Sequence, residues 1–209
     1  MVHDRLLDRE LVDRFKLLIL PNIAARSDAQ CGQLREFVAR GGSLLVTHET
    51  SLYDQWGKRK ENFGLADLFG VAFISRVEGP MQNSYLRLEY DRATGQAHPI
   101  LAGFGETSRI INGVWRVHVE PRQPFPTPPL TLIPTYPDLP MEKVYPRQPK
   151  TDVAQVYMRE VPIRSEISNS QPAARIVYFP GPIDGDAILQ DGHIIDTLSG
   201  LSSTDATPS

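Results

Sequence analysis

The first quarter of the sequence alternates short apolar runs with one amphipathic stretch. Phe15–Leu20 is an apolar run that stops at Pro21, which predicts a strand buried on both faces of a sheet. Ser27 stands three residues before Gln30, the spacing of a capping box at a helix start. Ser43–Thr47 is a second apolar run. The pattern predicts a right-handed β-α-β crossover in a mostly parallel sheet.

The predicted helix has one apolar stripe and a glycine ending. Gly41 and Gly42 follow its last turn, and glycine adopts the left-handed conformation that closes many helices without steric cost. The single cysteine, Cys31, lies on the stripe and far from any strand end, so we expect a small buried hydrophobe rather than a nucleophile. The stripe consists of Cys31, Leu34, Phe37 and Val38.

Beyond the second strand the period changes from helical to alternating. Leu65–Val71 reads as a short helix that turns at Gly70 into a strand. The apolar or alternating runs that predict further strands are Tyr85–Tyr90, Val114–Glu120, Leu130–Pro134, Val153–Met158 and Arg175–Pro180.

Prolines and small polar residues divide the rest of the chain. Tyr136–Arg147 contains prolines that prevent continuous ladder pairing, so it predicts an extended surface excursion. We predict an α/β part over residues 1–75, a β-rich and proline-rich continuation of the same module over residues 76–197, and a disordered tail over residues 198–209.

Composition narrows the class of protein. The chain has 209 residues, a net charge of −3 and one cysteine. The acidic balance gives no electrostatic reason to expect nucleic acid or a membrane surface as partner. No apolar run is long enough to span a bilayer, and the charged N-terminus is unlike a signal peptide. The histidines show no metal-ligand spacing. We therefore expect a cytoplasmic protein without metal or cofactor.

Polar residues follow the second strand directly, where ligand sites of open α/β sheets lie. His48, Glu49 and Ser51 carry an imidazole, a carboxylate and a hydroxyl, the groups that acid-base catalysis needs. No motif fixes a partner for any of them. The competing interpretation is that Glu49, Thr50 and Ser51 cap the next turn and hydrogen-bond the loop. This second interpretation is favoured, because patterns as short as this one often match by chance.

Five further residues are candidates for ligand binding: Thr50, Asp54, Trp56, Asp138 and Glu142. Asp138 and Glu142 are paired carboxylates of the kind used in glycoside hydrolysis, although loop carboxylates beside basic residues are usually solvated ion pairs. Aromatic residues near loops, Trp56 among them, suit either sugar stacking or a subunit interface. The sequence does not separate these two uses.

The order of these elements, from Leu20 to Val71, resembles the β-galactosidase trimerisation domain, which has a class I glutamine amidotransferase-like, flavodoxin-like fold. Several segments more closely resemble C-terminal modules of glycoside hydrolases, in which the module follows a TIM-barrel domain carrying the catalytic carboxylates. These segments are Thr47–Asp54, His98–Phe104, Ile110–Gly113, Tyr136–Glu142 and Tyr178–Gly181. The resemblance implies a barrel partner and a homotrimer.

The sequence departs from that pattern in three ways. Glu49 stands where an amidotransferase carries its cysteine, and no glycine flanks it. No barrel is present in these residues, and we do not find the strand and helix with which the family module would begin, ahead of Val2. We therefore expect a fragment of a longer chain that acts as a non-catalytic accessory or oligomerisation module of a glycoside-hydrolase-like protein.

Two other hypotheses remain open at this point. The chain could be a free-standing carbohydrate-binding or hydrolytic protein that uses His48 and Glu49. It could also be a truncated reading frame without independent function, an idea that cooperative unfolding of the chain would contradict.

Overall fold

A computed structural model describes Leu7 and residues 12–81, 84–91, 94–135, 151–163 and 173–183. The chain forms two compact units. The first comprises Met1–Arg76, Val117–Phe125 and Tyr157–Pro180, and the second comprises Val77–Arg116, Pro126–Val156 and Gly181–Ser209. The division of the sequence at residues 75 and 197 stays a prediction.

The helices that the structure describes from end to end are, in chain order, α1 (Asp28–Ala39), α2 (Ala66–Phe69) and a 3-10 helix, Pro99–Leu101. The strands are β1 (Leu17–Leu20), β2 (Ser43–Thr47), β3 (Val71–Glu78), β4 (Tyr85–Leu88), β5 (Arg109–Ile111), β6 (Arg116–Pro121), β7 (Leu130–Ile133), β8 (Tyr157–Val161) and β9 (Ala174–Phe179).

A four-stranded sheet in the order β1-β2-β9-β8 is the centre of the first unit. The strands β1, β2 and β9 run parallel, and β8 is antiparallel to β9. Leu18 pairs with Leu44, which pairs with Ile176, so one row of apolar side chains crosses three strands. All three are buried. A mixed α/β fold with a mostly parallel sheet is thereby confirmed.

Helix α1 connects β1 to β2 and begins and ends as the sequence predicts. The Ser27 hydroxyl accepts from the Gln30 amide, and the Gln30 side chain accepts from the Ser27 amide. At the other end the amides of Gly41 and Gly42 donate to the carbonyls of Val38 and Phe37, the pairing of a Schellman motif. Gly41 has a φ of 101°.

The apolar stripe of α1 is buried as predicted. Cys31 is 1% exposed, and its burial raises the pKa of the thiol. A neutral, inaccessible thiol in this position acts as a packing group.

Aromatic rings complete the core beside β9. The ring of Phe69, in α2, stacks on Tyr178 with centroids 4.9 Å apart and planes 8° apart. Phe63 meets the same tyrosine edge-on at 5.5 Å. Gly70 follows α2 with a φ of 71° and leads into β3, as the short helix and glycine turn in the sequence predict.

The second unit contains an antiparallel sheet in the order β5-β4-β7. Buried polar groups tie its end together: the Asn112 amide donates to the Ser84 hydroxyl at 3.0 Å, which donates to the Ile133 carbonyl at 2.9 Å.

Strands β3 and β6 form a separate two-stranded sheet.

One predicted strand is wrong in its bounds. The apolar run Val153–Met158 predicts a single strand, but β8 begins only at Tyr157. The earlier residues bond instead to β7, since the Leu132 amide donates to Val153 and the Gln155 amide donates to Leu130. The first part of the run therefore bonds to β7, and only its last two residues enter β8. The predicted excursion over residues 136–147 and the predicted tail lie outside the described residues.

Candidate functional site

The candidate site lies where the loops after β1 and β2 meet at the carboxyl edge of the sheet. Asn22, His48 and Ser51 all have left-handed backbone conformations, with φ values of 44°, 52° and 67°. Such conformations are uncommon outside glycine and are costly unless the surroundings enforce them. Here the enforcement comes from a dense set of hydrogen bonds between the two loops.

Two threonine hydroxyls hold the loop after β1. The Thr47 hydroxyl accepts from the Asn22 amide at 2.9 Å, and the Thr50 hydroxyl accepts from the Ile23 amide at 3.1 Å. The Thr50 hydroxyl lies 2.7 Å from the Thr47 carbonyl, to which it can donate. Both threonines are fully buried. Their polar groups are therefore committed to the backbone of the fold.

Ser51 is placed in the same manner. Its hydroxyl accepts from the Leu65 amide at 3.2 Å, and its carbonyl accepts from the Gly64 amide at 2.8 Å. The side chain is fully buried, so this hydroxyl positions the segment leading into α2. A catalytic role for Ser51, and a ligand-binding role for Thr50, stay predictions.

His48 and Glu49 share a polar cluster with Asn22 and Tyr53. The Asn22 side-chain oxygen accepts from the Glu49 amide at 3.2 Å and lies 3.4 Å from His48 Nδ1. His48 Nδ1 lies 3.9 Å from Glu49 Oε2. The Tyr53 hydroxyl donates to Glu49 Oε1 at 3.1 Å. The His48 side chain is 8% exposed and that of Glu49 is 20% exposed.

The environment of Tyr53 shows the influence of this carboxylate. Partial burial, then the charge of Glu49 and the hydrogen bond to it, raise the pKa of the Tyr53 hydroxyl. The phenol therefore stays protonated and remains a donor to Glu49. Within the polar cluster, Glu49 is the carboxylate that reaches solvent, and it could accept from a ligand hydroxyl or exchange a proton with His48.

Asp54 and Trp56 lie in a short hairpin, residues 53–60, which we call the Trp56 hairpin. Asp54 Oδ1 accepts from the amides of Trp56 and Lys58, both at 2.9 Å. The Asp54 amide donates to the Lys58 carbonyl at 2.9 Å, and Tyr53 pairs with Arg59 at the base. Asp54 therefore holds a turn, while Trp56 projects into solvent at its tip.

The remaining predicted site residues, Asp138 and Glu142, lie outside the described residues. Among the residues that the structure describes, no group of three histidine, cysteine or acidic side chains could hold a metal ion. No described helix is both long and apolar enough to cross a membrane.

Sequence reasoning missed the parts that Asn22 and Tyr178 play at this site. Asn22 follows a proline at a strand end, and asparagine is a residue type that tolerates left-handed backbone, so a signal was present. The Tyr178 hydroxyl donates to the His48 carbonyl at 2.8 Å from a position 130 residues away. No local pattern could have shown that contact.

Comparison with solved structures shows what the fold is similar to. Gan42B, a GH42 β-galactosidase from G. stearothermophilus, matches at 16% identity with a TM-score of 0.52, covering 89% of this chain and 22% of its own. The β-galactosidase from the Antarctic haloarchaeon Halorubrum lacusprofundi matches at 14% identity and 0.52, covering 91% and 23%.

One protein whose description does not mention a glycosidase matches with a similar TM-score. The mmIFT52 N-terminal domain matches at 12% identity with a TM-score of 0.53, covering 97% of this chain and 84% of its own. No protein-family model matches the sequence, and neither does any curated protein. The chain spans less than a quarter of the length of the β-galactosidases that it matches, and at these identities the likeness is one of fold alone.

Proposed function

We propose that this chain is a non-catalytic accessory module of a glycoside-hydrolase-like protein. The observation that carries the proposal is the fold likeness to GH42 β-galactosidases, which takes in about nine-tenths of this chain and about a fifth of theirs. A region of that extent is compatible with a domain that accompanies a catalytic domain.

The finer parts of the proposal come from the resemblance in the sequence. In this proposal the module is flavodoxin-like and amidotransferase-like, with the parallel sheet and α1 at its centre. Its proposed partners are a TIM-barrel glycosidase domain, further copies of itself, as in a trimer, or both, and carbohydrate is a further candidate ligand. A cytoplasmic location belongs to the same proposal.

The placement of Thr50, Ser51 and Cys31 supports a non-catalytic role. The hydroxyls of Thr50 and Ser51 bond to backbone groups within the fold, and neither is exposed. Cys31 is buried in the helix interface rather than at a strand end. The groups that would serve as nucleophiles in this architecture are therefore used for packing and turn formation.

The genomic sequence on the 5′ side of the Met1 codon tests this proposal. Translation in the same frame should give a TIM barrel with paired carboxylates at its strand ends. A stop codon followed by a ribosome-binding site would make the chain a free-standing protein and contradict the proposal.

A second candidate function is carbohydrate binding or hydrolysis by the chain itself. The observation that favours it is the Glu49 carboxylate, which stays partly exposed while Tyr53 donates to it and His48 lies nearby. Under this hypothesis Glu49→Gln should abolish binding of, or activity on, a panel of glycosides, with Glu61→Gln as an exposed control. Unchanged binding and activity in Glu49→Gln would contradict it.

A further inference from the structure

Asn112 and Gly113 form the only asparagine–glycine pair in the sequence, and they directly follow β5 in the second unit. Both residues are buried, and Asn112 is 8% exposed. The side-chain amide of an asparagine can react with the backbone nitrogen of the next residue. Glycine in that position has no Cβ to hinder the approach and leaves the backbone free to bend toward it. In an unfolded chain this pair is therefore the asparagine site most open to spontaneous deamidation.

The reaction needs only water. The Gly113 nitrogen loses its proton and attacks Cγ of Asn112, a C–N bond forms, and the bond from Cγ to Nδ2 breaks. The leaving nitrogen takes up the proton and departs as ammonia, which leaves a five-membered succinimide ring. Water then opens the ring at one of its two carbonyl carbons. Opening at Cγ gives aspartate, and opening at the backbone carbonyl gives isoaspartate.

The fold holds Asn112 away from this reaction. Its side-chain Nδ2 donates to the Ser84 hydroxyl at 3.0 Å and lies 4.0 Å from Met81 Sδ. Its backbone amide donates to the Ser84 carbonyl at 3.0 Å. Turning Cγ toward the Gly113 nitrogen would break the bond to the hydroxyl, and burial keeps out the water that opens the ring. The folded site is therefore sealed.

Neither product can replace the asparagine. The Ser84 hydroxyl already donates its one hydrogen to the Ile133 carbonyl at 2.9 Å, so it needs a donor from residue 112. An aspartate carboxylate only accepts, and it would bring a buried negative charge against the serine oxygen. Isoaspartate adds a carbon to the backbone at the end of β5 and displaces the amide that bonds to Ser84. Either product removes part of the buried hydrogen bonding that ties the end of the sheet β5-β4-β7.

We propose that Asn112–Gly113 is a self-modification site, sealed in the folded chain and exposed whenever the end of the sheet β5-β4-β7 opens. Opening lets the pair react, and the product prevents the same hydrogen bonds from forming again. Deamidation thus converts a reversible opening of the second unit into a permanent one. The inference concerns that unit alone and does not depend on the accessory role.

Asn62 is a matched control in the same chain. It is exposed, and the residue that follows it, Phe63, has a bulky side chain that hinders ring closure. Its Oδ1 accepts from the amides of Phe63 and Phe73, at 2.9 and 3.0 Å. An aspartate keeps both acceptor bonds, so the same chemical change should be tolerated at position 62 and harmful at position 112.

Rates of conversion in the wild-type chain give the first test. The chain is incubated at mildly alkaline pH with and without denaturing urea, then digested, and each asparagine peptide is measured by mass spectrometry. In urea Asn112 should convert faster than Asn62. Without urea its conversion should be at least about 100-fold slower, because only the small open fraction reacts. This measurement needs no variant to fold.

The stability of two variants gives the second test. Unfolding in urea is followed by the fluorescence of Trp115, which lies in the second unit, in a Trp56→Phe background. Asn112→Asp should lower the folding equilibrium constant by at least about 30-fold, as expected when a buried polar group loses its partner, and Asn62→Asp should stay near wild type. Conversion of Asn112 in urea no faster than that of Asn62, conversion unaffected by folding, or equal stability of the two variants would each overturn the inference.

Discussion

The hydroxyl of Tyr178, in β9, donates a hydrogen bond to the backbone carbonyl of His48 at 2.8 Å. His48 directly follows β2 and has a left-handed backbone, and its amide donates to the Phe179 carbonyl at 2.8 Å. The last described strand of the sheet therefore fixes the polar turn after β2. This contact ties the candidate site to the core.

Tyr178→Phe tests how much that hydrogen bond contributes to the free energy of unfolding. The substitution keeps the ring stacked on Phe69 but removes the donor to a buried carbonyl, so the free energy of unfolding should fall by about 1–2 kcal/mol. Urea denaturation measures the loss. Tyr90→Phe is a matched control on an exposed tyrosine and should change stability by less than about 0.5 kcal/mol. Equal stability of the two variants would show that the bond contributes nothing.

Stability at alkaline pH should depend on the same hydroxyl. Burial, then the charges of Tyr157 and Glu49, raise the pKa of Tyr178 well above its ordinary value of 10.0. The folded chain keeps this proton while the unfolded chain releases it, so stability is complete below pH 10 and falls as the pH rises above it. Denaturation at several values from pH 8 to pH 11 should show a steeper loss for wild type than for Tyr178→Phe. Parallel curves would contradict the assignment.

We expect the Thr50 hydroxyl to stabilise the loop after β1 rather than to bind a ligand. Thr50→Val conserves shape but leaves the Ile23 amide without its acceptor, and we expect a loss of about 1–3 kcal/mol. Thr50→Ser keeps the hydroxyl and removes one methyl group, at about 1 kcal/mol. Thermal and urea unfolding should rank the valine variant as the less stable. The reverse order would mean that methyl packing, not the hydrogen bond, fixes the loop.

Two glycines in and after α1 should respond in opposite directions to alanine. A Cβ added to Gly42 would lie 2.2 Å from ring atoms of Phe37, a clash that costs about 1–3 kcal/mol. A Cβ added to Gly32 meets nothing within 4 Å in mid-helix, so that substitution should stabilise the chain by about 0.5–1 kcal/mol. Urea unfolding of both variants checks the pair. A Gly42→Ala variant as stable as wild type would show that the Phe37 ring does not lie against Gly42.

Local patterns predict the first part of this chain well. The limits of β1, α1 and β2 follow from an apolar run, a capping box and a glycine pair, all of which act over a few residues. The period of two likewise finds β4 and β6. The prediction over Val153–Met158 is wrong in its bounds because a mainly apolar run indicates burial but does not indicate the sheet against which it packs.

The candidate site is predictable only in position. The strand end and the residue types place it, yet the roles of Thr47 and Thr50 depend on amides of Asn22 and Ile23, which lie more than twenty residues earlier. Whether a hydroxyl faces solvent or backbone is a tertiary property. The sequence offers both readings for Thr50, and only the folded chain shows that its hydroxyl bonds to the Ile23 amide.

The central claim is that this module does not carry out glycoside hydrolysis by itself. The direct measurement is the rate of aglycone release from a panel of chromogenic α- and β-glycosides, with wild type, Glu49→Gln and His48→Ala at equal concentration. We predict that all three give the rate of buffer alone. Turnover by wild type that Glu49→Gln abolishes, in a variant that still unfolds cooperatively, would contradict the account and make the polar cluster at His48 and Glu49 an active site.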